Sequence, residues 1–201
     1  MKKANIAVFV SGGGTNLQAL INAEARGDLP SGRLALVVSS KSGVYALERA
    51  EQAGIPAVVV PRKTCAGQAE FEARISAALE EYRIDLIVLA GFLSILSADF
   101  TRRWPERIIN VHPSLIPSFC GQGFYGLKVH EEALKRGVKV TGATVHFVNE
   151  IPDGGRILLQ KAVDVLPDDT PETLQRRVME QAEWQLLPAA AELVARELVG
   201  E

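Results

Sequence analysis

Asn110 and His112 are the residues of this sequence best suited to polar chemistry, because they stand two apart in the run INVHPS. Residues two apart on a strand share a face, so both polar side chains should point one way while Ile109 and Val111 point into a core. Pro113 cannot continue a ladder, so we expect the strand to end at His112. Open parallel sheets bind ligands at that carboxyl end. An amide and an imidazolium there could both donate to an oxyanion on a carbonyl.

Asp153 is a third candidate, in the turn sequence IPDGG. If this turn reaches His112, its carboxylate favours the protonated imidazole and raises the histidine's pKa. All three candidates also have a structural alternative. Asn110 and His112 would then hydrogen-bond to neighbouring loops at a strand end, and Asp153 would be an ordinary turn residue. Of the other histidines, we expect His130 on the surface of a helix and His146 on the solvated or hydrogen-bonded side of a strand.

The glycine-rich run SGGGTNLQ, residues 11–18, follows an apolar run and precedes a helical pattern. Its glycines let backbone amides approach an anion, and Thr15 with Asn16 can cap a helix whose positive end faces the ligand. The run lacks the lysine of a P-loop and the last glycine of GxGxxG. It predicts either a phosphate site or a flexible strand-to-helix turn with a threonine cap, and the spacing alone does not decide between them.

The first half of the chain alternates apolar β-rich runs with helical periodicity. The apolar runs are NIAVFV (5–10), LALVVSS (34–40), PAVVV (56–60), DLIVLAG (85–91) and RIINVH (107–112). Continuous Val, Ile and Leu runs suit strands that are covered on both sides. We therefore predict an α/β fold with a mostly parallel twisted sheet and helices on both faces.

The second half of the chain changes in style. Two long β-like runs, 138–150 and 156–165, flank the IPDGG turn and predict an antiparallel extension of the sheet. A C-terminal helix is predicted from Pro171 to Leu198. Asp169 or Thr170 should cap its start, and Gly200 should follow its end, because these residue types are preferred at those positions.

Composition limits the function classes. With 201 residues, we expect a single domain over 1–201, and the balance of 22 Lys+Arg against 24 Asp+Glu gives no general case for nucleic-acid or membrane partners. The apolar run near the amino terminus is too short for a signal peptide or a membrane span. Cys65 and Cys120 have no metal-ligand spacing and suit a reduced, cytoplasmic protein. The sequence leaves the oligomeric state open, with a homodimer as one option.

Together these stretches resemble the folate-dependent formyltransferases, and within them the branch that formylates glycinamide ribonucleotide in purine synthesis. The resemblance covers nearly the whole chain and is carried by SGGGTNLQAL, LAGFLSIL, INVHPSLIPSF, GATVHFV and the DGG turn. It implies a Rossmann-like fold, 10-formyltetrahydrofolate as co-substrate and no metal. The HPSLIP and aspartate-glycine elements are common to the family, so the glycine loop indicates the acceptor. The alternatives are a formyltetrahydrofolate deformylase and a non-catalytic phosphate- or folate-binding module.

The resemblance also implies roles for individual residues. The catalytic residues it implies are Asn110, His112 and Asp153. The ribonucleotide-binding residues it implies are Gly14, Thr15, Asn16, Gly91 and Glu183. The folate-binding residues it implies are Leu93, Ser94, Ile95, Leu96, Asn110, Val148 and Gln68.

This sequence departs from the family pattern in three places. The family often has an arginine where Ser94 stands and a basic residue where Gln68 stands, so the folate contacts at that end differ. Trp184 replaces a histidine that follows the glutamate, so only Glu183 is carried over. The stretch 120–134 is longer than in some members and is expected to form a mobile loop beside the site.

Overall fold

One mixed sheet of seven strands organises the protein, and the computed structural model describes residues 2–200. The strands are β1 (Ala4–Val10), β2 (Gly32–Ser39), β3 (Ala57–Val59), β4 (Leu86–Leu89), β5 (Ile108–His112), β6 (Val140–Phe147) and β7 (Ile157–Asp164). Their order is β3-β2-β1-β4-β5-β6-β7. Strands β1 to β5 pair in parallel, and β6 and β7 add on in antiparallel fashion. The predicted parallel sheet with a late antiparallel extension is confirmed.

Helices cover both faces of the sheet, as predicted. They are α1 (Thr15–Arg26), α2 (Tyr45–Gln52), α3 (Gln68–Glu81), α4 (Ala98–Arg102), α5 (Leu127–Arg136), α6 (Pro171–Val178) and α7 (Trp184–Val199), with a 3-10 turn at Arg62–Thr64 and a π turn at Met179–Glu183. Helices α1, α2, α6 and α7 pack on one face, whereas α3 and α4 pack on the other.

Strand β1 shows why its run is apolar throughout. Ile6 and Val8 point into the core beneath α1 and α7, whereas Ala7 and Phe9 point into the core beneath α3 and α4. All four side chains are fully buried. Burial of a large apolar side chain stabilises the fold by about 1.5–3 kcal/mol. Because both faces of β1 contact a core, apolar side chains are favoured at every position and not at alternate positions only.

The strand order reverses between β1 and β4, which opens a crevice at the carboxyl ends of the parallel strands. The loop after β1 contains Gly14, the loop after β4 contains Gly91, and β5 ends at His112. These three segments therefore leave the sheet along one edge. The end of β5 at His112, immediately before Pro113, is as predicted.

The C-terminal helix departs from the prediction of an uninterrupted run. Its start is capped as expected: the Thr170 hydroxyl accepts from the Thr173 amide, and Gly200 ends α7 with φ 83°. Between α6 and α7, however, the π turn Met179–Glu183 interrupts the α-helical pattern. A π turn adds a residue to one helical turn, which hydrophobic periodicity does not reveal. It leaves Glu183 buried.

The segment expected to be a mobile loop is partly helical. Helix α5 begins at Leu127, so only residues 120–126 of that segment lie outside regular structure. Val129 and Ala133 stand four apart on one side of α5 and are fully buried. This apolar pair packs the helix against the rest of the protein. The expectation of a mobile loop rested on the length of the segment, and length gives no information about this packing.

Candidate active site

Asn110 is held in a defined orientation by the neighbouring strand. It pairs with His146 across the β5–β6 ladder, and its Nδ2 lies 3.2 Å from His146 Nε2. His146 Nδ1 lies 2.8 Å from the Phe147 carbonyl, which can only accept, so Nδ1 carries a proton, and in the neutral ring Nε2 is the acceptor. Asn110 Nδ2 therefore donates to His146 and keeps a second N–H for another partner. Of the two options for His146, the hydrogen-bonded one holds.

His112 lies on the same side of β5, and its side chain is only 5% exposed. Its Nε2 lies 2.9 Å from the Phe119 carbonyl, so that nitrogen carries a proton. Its Nδ1 lies 3.5 Å from Asp153 Oδ2. The ring thus has a donor occupied by a loop carbonyl and a second nitrogen that faces a carboxylate. On the opposite face of β5, Ile109 and Val111 enter a core as expected.

Asp153 reaches His112, which fulfils the condition set by the sequence analysis. Its backbone adopts φ 55°, and its Oδ2 accepts a hydrogen bond of 2.7 Å from the Gly121 amide. Its Oδ1 lies 3.6 Å from His146 Nε2. Burial pushes the pKa of Asp153 upward, but His146, His112 and the Gly121 amide together lower it, so the carboxylate is ionised at neutral pH.

The pKa of His112 corrects an expectation. Asp153 does raise this pKa, but burial has the larger effect, and the pKa of His112 lies below its ordinary value. The ring is therefore mostly neutral at pH 7 in the absence of ligand, whereas the sequence argument expected a protonated imidazole. The depth at which β5 places His112 decides the sign, and the sequence gives no measure of that depth.

The glycine loop does not form the predicted side-chain cap. Gly14 is the N-cap of α1 with φ 72°, and no side chain in the described part of the chain caps this helix. A Cβ on Gly14 would lie 2.7 Å from Ala46 Cβ, so both its conformation and its contact with α2 require glycine. Within residues 2–200, the Thr15 hydroxyl donates only to Met179 Sδ, at 3.9 Å. Asn16 is engaged elsewhere.

Asn16 bonds to Glu183 in the interior. Its Nδ2 donates to Glu183 Oε2 at 2.7 Å, and both residues are buried. Burial raises the pKa of Glu183 to about 6, and the Asn16 hydrogen bond opposes that rise only in part. Asn16 Oδ1 is buried without a partner among residues 2–200. The pair thus offers a carboxylate and an amide oxygen, both acceptors.

Replacing Glu183 by glutamine should stabilise the protein at pH 8. The folded-state pKa of about 6 exceeds the ordinary 4.5, so the folded state loses stability as the pH rises from 4.5 to 6. That difference corresponds to about 2 kcal/mol above pH 6, which a non-titrating glutamine avoids. Urea denaturation of parent and variant at pH 4.5 and pH 8 measures it.

The matched control for that prediction is Glu180→Gln, since Glu180 lies in the same π turn but is exposed. We expect this change to leave the stability difference between the two pH values as in the parent. A Glu183→Gln protein that gains nothing at pH 8 relative to pH 4.5 would contradict the raised pKa of the buried carboxylate.

Two cavities meet at Asn110 and Asp153. The larger has a volume of about 600 Å3, and among its lining residues are Asn16, Gly91, Leu93, Ile95, Asn110, His112, Asp153 and Glu183. The smaller, of about 160 Å3, is lined on one side by Leu93, Ser94, Ile95, Leu96 and Val148. The two share Asn110 and Asp153. The structure thus brings together most of the residues singled out from sequence. Gly14, Thr15 and Gln68 line neither cavity.

The loop that separates the cavities is anchored by Glu72. This buried carboxylate accepts from the Ser97 amide and hydroxyl, both at 2.6 Å, and from Gln68 Nε2 at 2.5 Å. Gln68 also donates to the Ile95 carbonyl at 3.0 Å. The amide of Gln68 therefore holds the loop backbone. Leu93 and Ile95 remain exposed, at 57% and 75%, on the cavity side of this loop.

His130 is fully buried, so its predicted surface position is wrong. Both ring nitrogens lack a hydrogen-bond partner within the described part of the chain. Burial, together with the charge of His112, lowers the pKa of His130 to about 4, so the ring is neutral at pH 7. It lines the larger cavity. Charged neighbours on α5 suggested exposure, but His130 shares the buried side with Val129 and Ala133.

Among residues 2–200, no group of three or more His, Cys, Asp or Glu side chains is arranged to hold a metal ion. Over the same range, no helix combines the length and apolar character that crossing a bilayer requires. Cys65 and Cys120 are both free.

Two parts of the site were missed by the sequence argument. The role of His146 depends on its register opposite Asn110, which connects segments 36 residues apart. The contact of Arg49 with the glycine loop, through a hydrogen bond of 2.9 Å from Nε to the Gly13 carbonyl, depends on how α2 docks. The alternation in TVHFV was a signal for a strand, but it did not identify the partner of His146.

Comparison with known proteins identifies the family of this chain. The model of the family described as formyl transferase matches residues 4–191. A phosphoribosylglycinamide formyltransferase of Haemophilus influenzae is 44% identical over 188 residues, which covers 94% of this chain and 84% of that protein. The human trifunctional purine biosynthetic protein adenosine-3 is 47% identical over 194 residues. This chain covers only 18% of that longer protein.

Solved structures give the same result. The crystal structure of glycinamide ribonucleotide transformylase 1 from Symbiobacterium toebii superposes with a TM-score of 0.90 at 39% identity, covering 97% of this chain and 89% of that one. Phosphoribosylglycinamide formyltransferase from Brucella melitensis gives a TM-score of 0.87 at 41% identity, with 96% of each chain covered. The fold is thus the Rossmann-like fold of these enzymes, and the chain belongs to the formyl transferase family.

Proposed function

We propose that this protein transfers the formyl group of 10-formyltetrahydrofolate to the amine of N1-(5-phosphoribosyl)glycinamide, a step of purine synthesis. The observation that carries the proposal is the meeting of two cavities at Asn110 and Asp153, with His112 beside them. One cavity runs from this point to Asn16 and Glu183, while the other is flanked by apolar side chains of the loop after β4. Two substrates can therefore be held with their reacting atoms together.

The ribonucleotide fits the larger cavity by its chemistry. Its phosphate suits the amino end of α1 and the glycine loop, where backbone amides concentrate positive potential. Its ribose hydroxyls are donors, and Glu183 and the free Oδ1 of Asn16 are acceptors in the wall of that cavity. The flat pteridine ring of the folate suits the smaller cavity, where Leu93, Ile95 and Val148 provide apolar contacts.

The reaction begins when the neutral glycinamide amine attacks the formyl carbon. A tetrahedral oxyanion forms, and the free N–H of Asn110 Nδ2 is placed to donate to it. His112 Nε2 can supply the second donor once the substrate oxygen takes the place of the Phe119 carbonyl, which lies 2.9 Å away. The carbonyl of Phe119 therefore stands in for the oxyanion.

The amine must lose a proton as the bond to the folate nitrogen breaks. Neutral His112 can take that proton at Nδ1, which faces Asp153 at 3.5 Å. The imidazolium so formed is stabilised by the ionised carboxylate, and its Nε2–H still faces the oxyanion. The proton then passes, through Asp153 and water, to the departing N10 of the folate. The products are the formylated amide and tetrahydrofolate, with no covalent enzyme intermediate.

Both free cysteines suit a reducing compartment, and we propose the cytoplasm as the site of the reaction.

A deformylase, in which water replaces the amine, is the second candidate. It would use Asn110, His112 and Asp153 in the same way, but it has no need of the acceptors Asn16 and Glu183 at the far end of the larger cavity.

An acceptor comparison tests the proposed function. We expect formylation of glycinamide ribonucleotide and a kcat/KM lower by about a hundredfold or more for the same acceptor without its phosphate, since hydrogen bonds to a charged group contribute about 1.5–3 kcal/mol each. Mass spectrometry of the acceptor measures both rates. Equal rates with the two acceptors would contradict a phosphate-recognising site, and no acceptor formylation at all would contradict the proposed function.

A further inference from the structure

Arg49, on α2, has an unusual position beside the glycine loop. Its Nε donates to the Gly13 carbonyl at 2.9 Å, and its Nη1 donates to Gln18 Oε1 at 2.8 Å. Its guanidinium carbon lies 4.8 Å from the centre of the Tyr45 ring. No carboxylate within residues 2–200 pairs with it. The guanidinium is thus fixed by neutral groups, and its positive charge is uncompensated.

Helix α2 donates hydrogen bonds to two successive carbonyls of the glycine loop. The Ala46 amide donates to the Gly12 carbonyl at 3.2 Å, and Arg49 donates to that of Gly13. In a trans peptide the carbonyl and the following amide point in opposite directions. The amides of Gly13 and Gly14 therefore face away from α2, and neither has a partner in the described chain. Adjacent free amides on one side of a loop form an anion-binding concavity.

A second observation points to a ligand at the same place. Asn16 follows the loop directly and is only 8% exposed, and its Oδ1 has no partner among the described residues. An unpaired buried acceptor is costly, so a ligand donor on this side of α1 would satisfy it. A sugar hydroxyl near Asn16 places an attached phosphate toward the loop amides.

We propose that Arg49 is a positioning residue for the phosphate of the acceptor, an inference that rests on the proposed function. It holds the Gly13 carbonyl against α2 and so keeps the Gly14 amide turned toward the phosphate. Its uncompensated charge adds attraction for a phosphomonoester dianion at the amino end of α1. Arg49 thereby determines the affinity for the acceptor and leaves the chemical step to Asn110, His112 and Asp153.

Steady-state kinetics of Arg49→Met tests this assignment, because methionine keeps an apolar stem over Tyr45 but has neither charge nor donors. We expect the KM for glycinamide ribonucleotide to rise about tenfold to a hundredfold, with kcat and the KM for the folate within about threefold of the parent. Arg49→Lys retains the charge on a single ammonium nitrogen, but it lacks the planar guanidinium whose separate nitrogens bond Gly13 and Gln18. It should recover part of the lost affinity.

Arg26→Met is the matched control. Arg26 lines the same cavity of about 280 Å3 as Arg49, but it is paired with Asp28 at 2.8 Å. Its substitution should leave all three constants unchanged. An Arg49→Met enzyme whose ribonucleotide KM stays within about twofold of the parent overturns the inference. A fall in kcat accompanied by equal rises in both KM values also overturns it, because that pattern indicates a purely structural role. A parent that formylates no ribonucleotide refutes the proposed function itself.

Discussion

Alanine at Asn110 or at His112 should lower kcat about a hundredfold to a thousandfold, the usual effect of removing one oxyanion donor. Asn110 Nδ2 is held by His146 with one N–H left free, and His112 Nε2 binds the Phe119 carbonyl oxygen. In the proposed mechanism both donors act on the oxyanion more strongly than on the formyl group of the bound substrate. The KM values for both substrates should therefore change much less than kcat.

Asn110→Asp is the matched control for shape. Aspartate has nearly the same size but offers only acceptors at neutral pH, so it should be at least as inactive as the alanine variant. Thermal melting of each variant shows whether the fold is retained. Near-normal turnover in a folded Asn110→Ala or His112→Ala enzyme would remove that residue from the mechanism.

Asparagine at Asp153 should lower kcat by about 10²- to 10⁴-fold, as expected for loss of a group that supports proton transfer. The imidazolium that forms at His112 during the reaction loses its carboxylate partner, which lies 3.5 Å from Nδ1. Asparagine has the same shape and also tolerates the positive φ of 55° at this position. The charge is thus removed with little disturbance of the turn.

The same variant makes a prediction about pH. Burial lowers the pKa of His112, and Asp153 opposes that effect, so removing the carboxylate should lower the pKa of His112 further. NMR titration of the His112 ring in parent and variant measures this shift. Asp99→Asn is the control, because Asp99 is an exposed carboxylate paired with Arg102 and carries the same charge. An unchanged His112 pKa in Asp153→Asn would show that the carboxylate does not act on the ring.

The sequence was sufficient to place Asn110 and His112 together at the end of one strand. Period-two alternation placed Asn110 and His112 on one side of β5, and Pro113 placed them at its end. Continuous apolar runs predicted a sheet covered on both faces, because every second residue of β1 enters a different core. Both are properties of short segments, so the local sequence pattern is enough to predict them.

Other features depend on contacts between distant segments. His146 orients Asn110 only because β6 pairs antiparallel with β5 in one register. Glu183 enters the interior because a π turn interrupts the last helix, and periodicity does not signal such a turn. The pKa of His112 depends on burial, which no residue type fixes. These parts of the site required the three-dimensional arrangement.

The fate of a labelled formyl group tests the central claim most directly. Enzyme in excess is mixed with 10-formyltetrahydrofolate labelled with ¹³C in the formyl carbon, with and without glycinamide ribonucleotide, and the products of a single turnover are identified by NMR. The account predicts that the label moves to the ribonucleotide amide, with little formate and with little loss of label from the folate when the ribonucleotide is absent. Release of labelled formate at the same rate in both mixtures would contradict it.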